Sequence, residues 1–401
     1  MTVTFDAIAE ARERIGDHVV RTPLLRSETL SATLGADLHL KFENLQFTAS
    51  FKERGALNRL LLLDDAARSG GVIAMSAGNH AQALAYHGAC LGIPVAIVMP
   101  RHTPNAKVEQ TKVFGAEVFL HGDRFAETLT YTQGLAEDRG LFLVHPFEDD
   151  AVIAGQGTLG LEILEQAPDV DTVIVPVGGG GLLAGTSVAV RARSSDIALV
   201  GVQADRFRAA VDAFEGREPN RGPSGTIAEG IAVDGPGATA MDLLRRNVDR
   251  MVAVSESDIE RAIFVLLEFE KTVTEGAGAA ALAAVIADSS IAVGKTVLVL
   301  SGGNIDMMIL SSVLQRGLVR SRRLVRIAVE IPDLPGALGE LTQRLGALDS
   351  NIVDIVHQRA FGASTVRATL VELVLQMRGE EQVGAVVGAL REAGYEVRLD
   401  Q

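Results

Sequence analysis

From Val72 onward, short apolar β-branched runs alternate with longer stretches whose apolar residues recur at helical spacing. "VIAM" precedes "HAQALAYHGACL", "VAIVMP" precedes "PNAKVEQTKVFG", and "EVFL" precedes "RFAETLTYTQGLAEDRG". The alternation continues through "LFLV", "TVIVPV", "IALVGV", "MVAVS" and "TVLVLS", and "LHLKFEN" supplies an earlier strand. Runs apolar on both faces and separated by helices predict buried parallel strands in an α/β fold. So many strands over about 320 residues exceed what one open sheet holds comfortably, which predicts more than one sheet.

The pattern changes after "RGLVRSRRLVR", which reads as a solvated Arg-rich linker at 319–324. Beyond it, "VRIAVEIPD", "LPGALGELTQRLGAL", "NIVDIVHQRA", "TVRATLVELVLQM", "EEQVGAVVGALREAG" and "YEVRLD" spell β-α-β-β-α-β, a ferredoxin-like unit. The expected organisation is therefore a body over 1–318 and a small module over 325–401.

Composition narrows the function classes. With 401 residues and 47% hydrophobic content, the chain can build two or three domains. A net charge of −14 opposes a nucleic-acid surface, which needs clustered cations. The single cysteine, Cys90, suits a reducing compartment and reads as core packing. The N-terminal stretch has early acidic residues and no long apolar run, so no signal peptide or membrane span is expected and a cytoplasmic location is.

Of the 37 lysines and arginines only six are lysines: Lys41, Lys52, Lys107, Lys112, Lys271 and Lys295. An amine can lose its proton and attack a carbonyl, which a guanidinium cannot. Lys52 opens a predicted helix in "TASFKERGA" and is a candidate on that ground, with five rivals.

Gly178, Gly179, Gly180 and Gly181 stand between an apolar strand and an apolar helix in "VIVPVGGGGLLAG". Consecutive glycines let backbone N–H groups converge on an anion at a helix start, so phosphate is the natural ligand. No Gly-Lys-Ser/Thr follows, which excludes a P-loop. A dinucleotide fingerprint stays open on the letters, through Gly179, Gly181, Ala184 and Asp205. "SAGNHAQA" ends a strand at Ser76, and Asn79 is either a helix cap or a donor to a ligand oxygen. His80 reads as a packing residue. "VLVLSGGN" repeats the strand-end geometry at Ser301, and three such ends converging on one crevice make a site. Glu275 in "VTEGAGA" and Gly230 in "TIAEGI" are further candidates for ligand contact.

Taken together, "SFKERGA", "SAGNHAQA", "GGGGL" and "SGGN" resemble, in order over about residues 5–320, the fold type II pyridoxal-phosphate enzymes, and within them the threonine ammonia-lyases. The resemblance implies a two-lobed body of mainly parallel sheets, with a small lobe at about 42–150 inserted into a large one. It implies Lys52 as the lysine that anchors pyridoxal 5'-phosphate and then takes the substrate's α-proton, with Phe51 packing near the ring. Gly178 to Gly181 become the phosphate cradle, Asn79 the donor to the ring hydroxyl and Ser301 the partner of the ring nitrogen. The loop Ser76, Ala77, Gly78, Asn79 and His80 would hold the substrate carboxylate. The implied reaction converts L-threonine to 2-oxobutanoate and ammonia, with L-serine secondary. A dehydratase specific for serine or another β-hydroxy amino acid, a dinucleotide oxidoreductase and a regulatory amino-acid binder are the alternatives.

Three positions depart from the family's pattern. Ala77 stands where serine racemases carry a second serine, which disfavours racemisation, and Gln203 replaces a metal-binding carboxylate, so no metal is expected. Ala49 replaces a usual glycine, a change expected to affect backbone freedom rather than chemistry. The C-terminal module resembles an ACT domain, which implies an amino-acid effector such as isoleucine or valine near Asp333, Gly336 and Asn351, and a homodimer or homotetramer.

Overall fold

The computed structural model describes residues 3–123, 125–219, 225–358 and 365–400, and the chain divides into two compact units, Met1–Asp306 and Met307–Gln401. In the first unit the strands are β1 Leu24–Arg26, β2 Asp37–Lys41, β3 Val72–Met75, β4 Val95–Met99, β5 Glu117–Leu120, β6 Phe142–Leu143, β7 Thr172–Pro176, β8 Ala198–Ala204, β9 Arg250–Val254 and β10 Lys295–Val299. Two sheets form, as the strand count implied. One has six strands in the order β1-β2-β10-β7-β8-β9, and the other has four in the order β5-β4-β3-β6. Every pairing is parallel except β1 with β2.

β4 and β7 are buried at all five positions, which is why their sequences carry no polar alternation. Burial on both sides requires helices on both faces. The glycine-bearing helix Asp150–Gln166 packs against both Lys52–Leu61 and Gly181–Arg193. A Cβ at Gly155 would lie 2.5 Å from the Arg54 carbonyl oxygen, so only glycine lets these helices approach backbone to backbone.

The second unit begins with the helix Met307–Arg320, so the contacts divide the chain ahead of that helix, whereas the sequence placed the boundary at 318. The Arg-rich stretch finishes this helix and, after residues 321–323, enters the next strand. β11 Leu324–Pro332, β12 Asn351–Gln358, β13 Ala368–Gln376 and β14 Glu396–Asp400 form an antiparallel sheet in the order β12-β13-β11-β14. The helices Ala337–Ala347 and Glu380–Glu392 complete the βαββαβ order. The strand expected over "NIVDIVHQRA" runs to Gln358, and its last two residues lie outside the described ones.

Cys90 is exposed, contrary to the core position expected. It lies in the last turn of the helix Asn79–Leu91, whose buried face there is taken by His87 and Gly88.

Candidate active site

The segment before Lys52 is stitched to the end of β10. Phe51 N–H donates to the Ser301 carbonyl over 3.1 Å, Gly303 N–H to the Ala49 carbonyl over 2.8 Å, and Lys52 N–H to Ser50 Oγ over 3.1 Å. Ser50 and Gly302 form an isolated antiparallel bridge. Ala49 sits at φ +54, a left-handed conformation that suits glycine.

Beneath this segment lies a buried charge network. Arg54 donates to Glu43 Oε2 and Oε1, each over 2.8 Å, and to Glu162 Oε1 over 2.6 Å. Lys41 Nζ joins through Glu162 Oε2 at 2.7 Å, with further bonds to the Thr22 carbonyl and Gln166. Burial alone pushes the Glu43 carboxyl up, but Arg54 and then Lys41 outweigh it and hold it below its ordinary value. This network anchors the first turns of the Lys52 helix.

The structure separates the six lysines. Lys41, Lys107, Lys112 and Lys295 pair with Glu162, Glu229, Glu109 and Asp169 respectively, and Lys271 Nζ donates to the Glu268 carbonyl at a helix end. Lys52 Nζ instead donates to the Pro146 carbonyl over 3.0 Å and lies 5.2 Å from the Phe51 ring centroid. Burial lowers its pKa to about 8, with Glu275 pulling the other way. An amine near that value is partly neutral at physiological pH, as a nucleophile or base needs.

Lys52 opens onto a cavity of about 320 Å³, within the usual range for small-molecule sites. All three strand ends singled out in the sequence line it: Ser76 after β3, Gly178 after β7 and Ser301 after β10. The crevice thus lies at carboxyl ends of parallel strands from both sheets. Phe51, Ala77, Gly78, Asn79, His80, Gly230 and Glu275 line it too.

Two glycines of the run have a direct physical reason. Gly180, at φ +92, caps the helix Gly181–Arg193 without any side-chain cap, so the helix start is open toward the cavity. A Cβ on Gly179 would fall 2.2 Å from Phe147 Cγ, so the run also admits an aromatic ring beneath it.

Asn79 does not cap its helix; Gly78 holds that position. Asn79 Nδ2 donates to Glu275 Oε1 over 2.6 Å, and its Oδ1 accepts from Asn304 Nδ2 over 2.8 Å. Glu275 likewise makes no capping bond to the helix it precedes. Burial pushes its carboxyl up to about 7, against the Asn79 bond and the Lys107 and Lys52 cations. Gly230 and Gly302 make room for it, since a Cβ would lie 3.3 Å and 2.4 Å from Glu275 Oε1. His80 is buried with Nε2 3.2 Å from the Val144 carbonyl oxygen, and burial, then Lys52, lowers its pKa to about 3. It is a neutral wall of the site and cannot act as a cation.

Gln203 Oε1 accepts from Ala210 and Val211 N–H, so it serves a helix start. In the second unit Gly336, at φ +94, caps the helix Ala337–Ala347, and Asp333 N–H donates to the Arg367 carbonyl. Asn351 pairs with Gln376, which pairs with Leu324, so it lies at the opposite end of the sheet from Asp333. Within one copy these residues are not brought together.

Sequence reasoning missed Pro146, Phe147, Gln156, Glu229 and Asn304 as site residues and named Lys107 only as a rival to Lys52, yet all of them line the cavity. Asn304 had a local signal as the last residue of "SGGN", and Glu229 had one inside "TIAEGI".

A family model described as pyridoxal-phosphate dependent enzyme matches residues 15–302. An L-threonine ammonia-lyase of Thermotoga maritima is 42% identical over 398 residues, 99% of each chain, and one of Geobacter sulfurreducens is 42% identical over 98% of each. The catabolic L-threonine dehydratase of Escherichia coli K12 is 43% identical over 78% of this chain and 96% of its own. Among solved structures, a T.th. threonine deaminase has a TM-score of 0.72 at 39% identity, covering 76% of this chain and 99% of its own.

The residues present fit pyridoxal phosphate. The open helix start at Gly178 to Gly181 suits a phosphate, and Lys52 supplies an amine without a carboxylate partner. His80 Nδ1 and Gln156 Nε2 are buried without a hydrogen-bond partner, and both residues line the same cavity.

Proposed function

The chain belongs to the pyridoxal-phosphate-dependent enzymes, and from that membership we propose that it converts L-threonine to 2-oxobutanoate and ammonia, with L-serine a poorer substrate. The observation that carries this reading is Lys52: a scarce lysine, without a carboxylate partner, on a cavity that also holds an open glycine-rich helix start and Ser301. The threonine assignment is supported by near full-length identity to L-threonine ammonia-lyases.

When bound, pyridoxal phosphate supplies an electron-withdrawing ring that accepts the charge left by loss of the substrate α-proton. Lys52 would hold the group through Nζ, and the same amine stands where it can take and carry the substrate α-proton. Gly178 to Gly181 would hold the phosphate through backbone N–H groups, and Asn79, fixed by Glu275 and Asn304, would donate to the ring hydroxyl. Ser301 would offer the ring nitrogen a neutral hydroxyl. A hydroxyl stabilises positive charge there less than a carboxylate would, which favours prompt loss of the β-hydroxyl over amino transfer. The backbone of Ser76 to Gly78, at the start of the helix Asn79–Leu91, receives the substrate carboxylate. With Ala77 in that loop, no second hydroxyl serves the opposite face of the α-carbon.

The test is kcat/KM across L-threonine, L-serine and L-2-aminobutyrate, following 2-oxo acid release. The reading requires threonine above serine and no turnover of 2-aminobutyrate, which lacks the leaving hydroxyl. A methyl in the side-chain pocket is worth about 10- to 200-fold. Serine preferred over threonine would move the assignment to a serine dehydratase.

We infer for the C-terminal unit an ACT-type role, in which isoleucine or valine modulates activity and the chain assembles as a dimer or tetramer. Its βαββαβ order supports this reading. Since Asp333 and Asn351 lie at opposite ends of the sheet, an effector contacting both requires two copies. Titrating isoleucine and valine against threonine turnover tests it, and curves flat for both would remove the effector.

A further inference from the structure

We propose that the Lys107–Glu229 ion pair selects the side-chain charge of the substrate, with Glu229 masking a cation that would otherwise receive a side-chain carboxylate. Lys107 lies on the helix Asn105–Val113 and Glu229 opens the turn Glu229–Ile231, so the pair joins segments flanking different sheets. Both side chains line the cavity that holds Lys52. The cation is the inner partner: its side chain is 23% exposed, against 56% for Glu229.

Among the described residues lining the cavity, the lysines are Lys52 and Lys107 and the carboxylates are Glu229 and Glu275; no arginine lines it. Lys52 is committed to the reaction. Glu275 is bound to Asn79 and is pushed toward its neutral form by burial. The charge met by an incoming side chain is therefore set by Lys107 and Glu229 together. A hydroxyethyl or hydroxymethyl side chain meets a neutralised pair. A side-chain carboxylate must displace Glu229 from Lys107 or remain unpaired, and an unpaired charge in a partly desolvated site is costly. Removing the Glu229 charge leaves Lys107 free to form a charge-assisted bond with such a substrate.

For L-threo-3-hydroxyaspartate the atoms balance as they do for threonine. The β-carbon–oxygen bond breaks, water leaves, and hydrolysis returns one water and releases ammonia with a four-carbon 2-oxo diacid. The inference rests on the proposed reaction for its first readout and on binding alone for its second.

The experiment uses the full-length holoenzyme as wild type, Glu229→Gln, and the double variant Lys107→Met with Glu229→Gln. The first readout is the ratio of kcat/KM for L-threo-3-hydroxyaspartate to that for L-threonine. Glu229→Gln should raise it about tenfold, through KM, with the gain shrinking at high salt. The double variant should return it to the wild-type value or below. The second readout is the melting-temperature increase given by L-aspartate relative to L-2-aminobutyrate, neither of which carries a β-hydroxyl. It should move in the same order. An unchanged ratio in Glu229→Gln, or a rise that survives in the double variant, overturns the proposal. Absence of threonine turnover in the wild type would instead overturn the proposed reaction, while the L-aspartate melting shift would still decide the role of the pair.

Discussion

Asn79 and Glu275 meet on the cavity wall, Nδ2 donating to Oε1 over 2.6 Å. Burial raises the Glu275 pKa from 4.5 to about 7, so between these values the folded chain holds a proton that the unfolded chain has lost. The stability contributed is complete below about pH 4.5 and is lost as pH rises through about 7. Glu275→Gln keeps an acceptor for Asn79 without the titration. Its melting temperature should therefore vary less with pH across that window than the wild type's, and parallel curves would show that Glu275 does not titrate there.

Gly179→Ala should abolish or strongly weaken cofactor binding, since the added carbon would fall 2.2 Å from Phe147 Cγ. A loss of about tenfold or more in pyridoxal phosphate affinity, read from the visible absorption on titration, is expected. Adding Phe147→Ala should recover part of it, because the obstruction is a single ring.

Arg54→Met leaves Glu43 and Glu162 facing each other with only Lys41 to balance them. Removing one partner of a buried pair costs about 3–5 kcal/mol. Urea unfolding should show a loss of that order, and a change below about 1 kcal/mol would mean that water or protonation readily replaces the guanidinium.

Ala49→Gly should stabilise the protein. The left-handed backbone at φ +54 costs a non-glycine residue about 1–2 kcal/mol, partly offset by the greater entropy that glycine loses on folding. A gain of about 0.5–1 kcal/mol at the urea midpoint is expected, with turnover little changed.

The strands β3, β4, β7, β8 and β10 were legible because their runs lack polar alternation, which follows from burial on both faces, whereas β2 alternates polar and apolar residues and β5 is buried at none of its positions. β1 was not, since three residues with two exposed leave no pattern. Lys52 could be suspected from the scarcity of lysine, but its distinction from Lys41 depends on Glu162, a contact 121 residues away. Phe147 beneath Gly179 and Glu229 beside Lys107 are equally non-local, and no spacing in the chain announces them. Asn79 misled in one respect: its type suits a helix cap, yet the backbone assigns that position to Gly78 and frees the amide for Glu275. In the C-terminal unit the order of elements was readable, but the register that separates Asn351 from Asp333 was not.

The most direct test of the account is Lys52→Ala, assayed for 2-oxobutanoate and ammonia from L-threonine alongside the visible absorption of the purified protein. The account predicts a wild type with an absorption band that borohydride removes, and a variant without that band and with turnover reduced by several orders of magnitude. A colourless wild type together with a Lys52→Ala variant that deaminates threonine at full rate would contradict it.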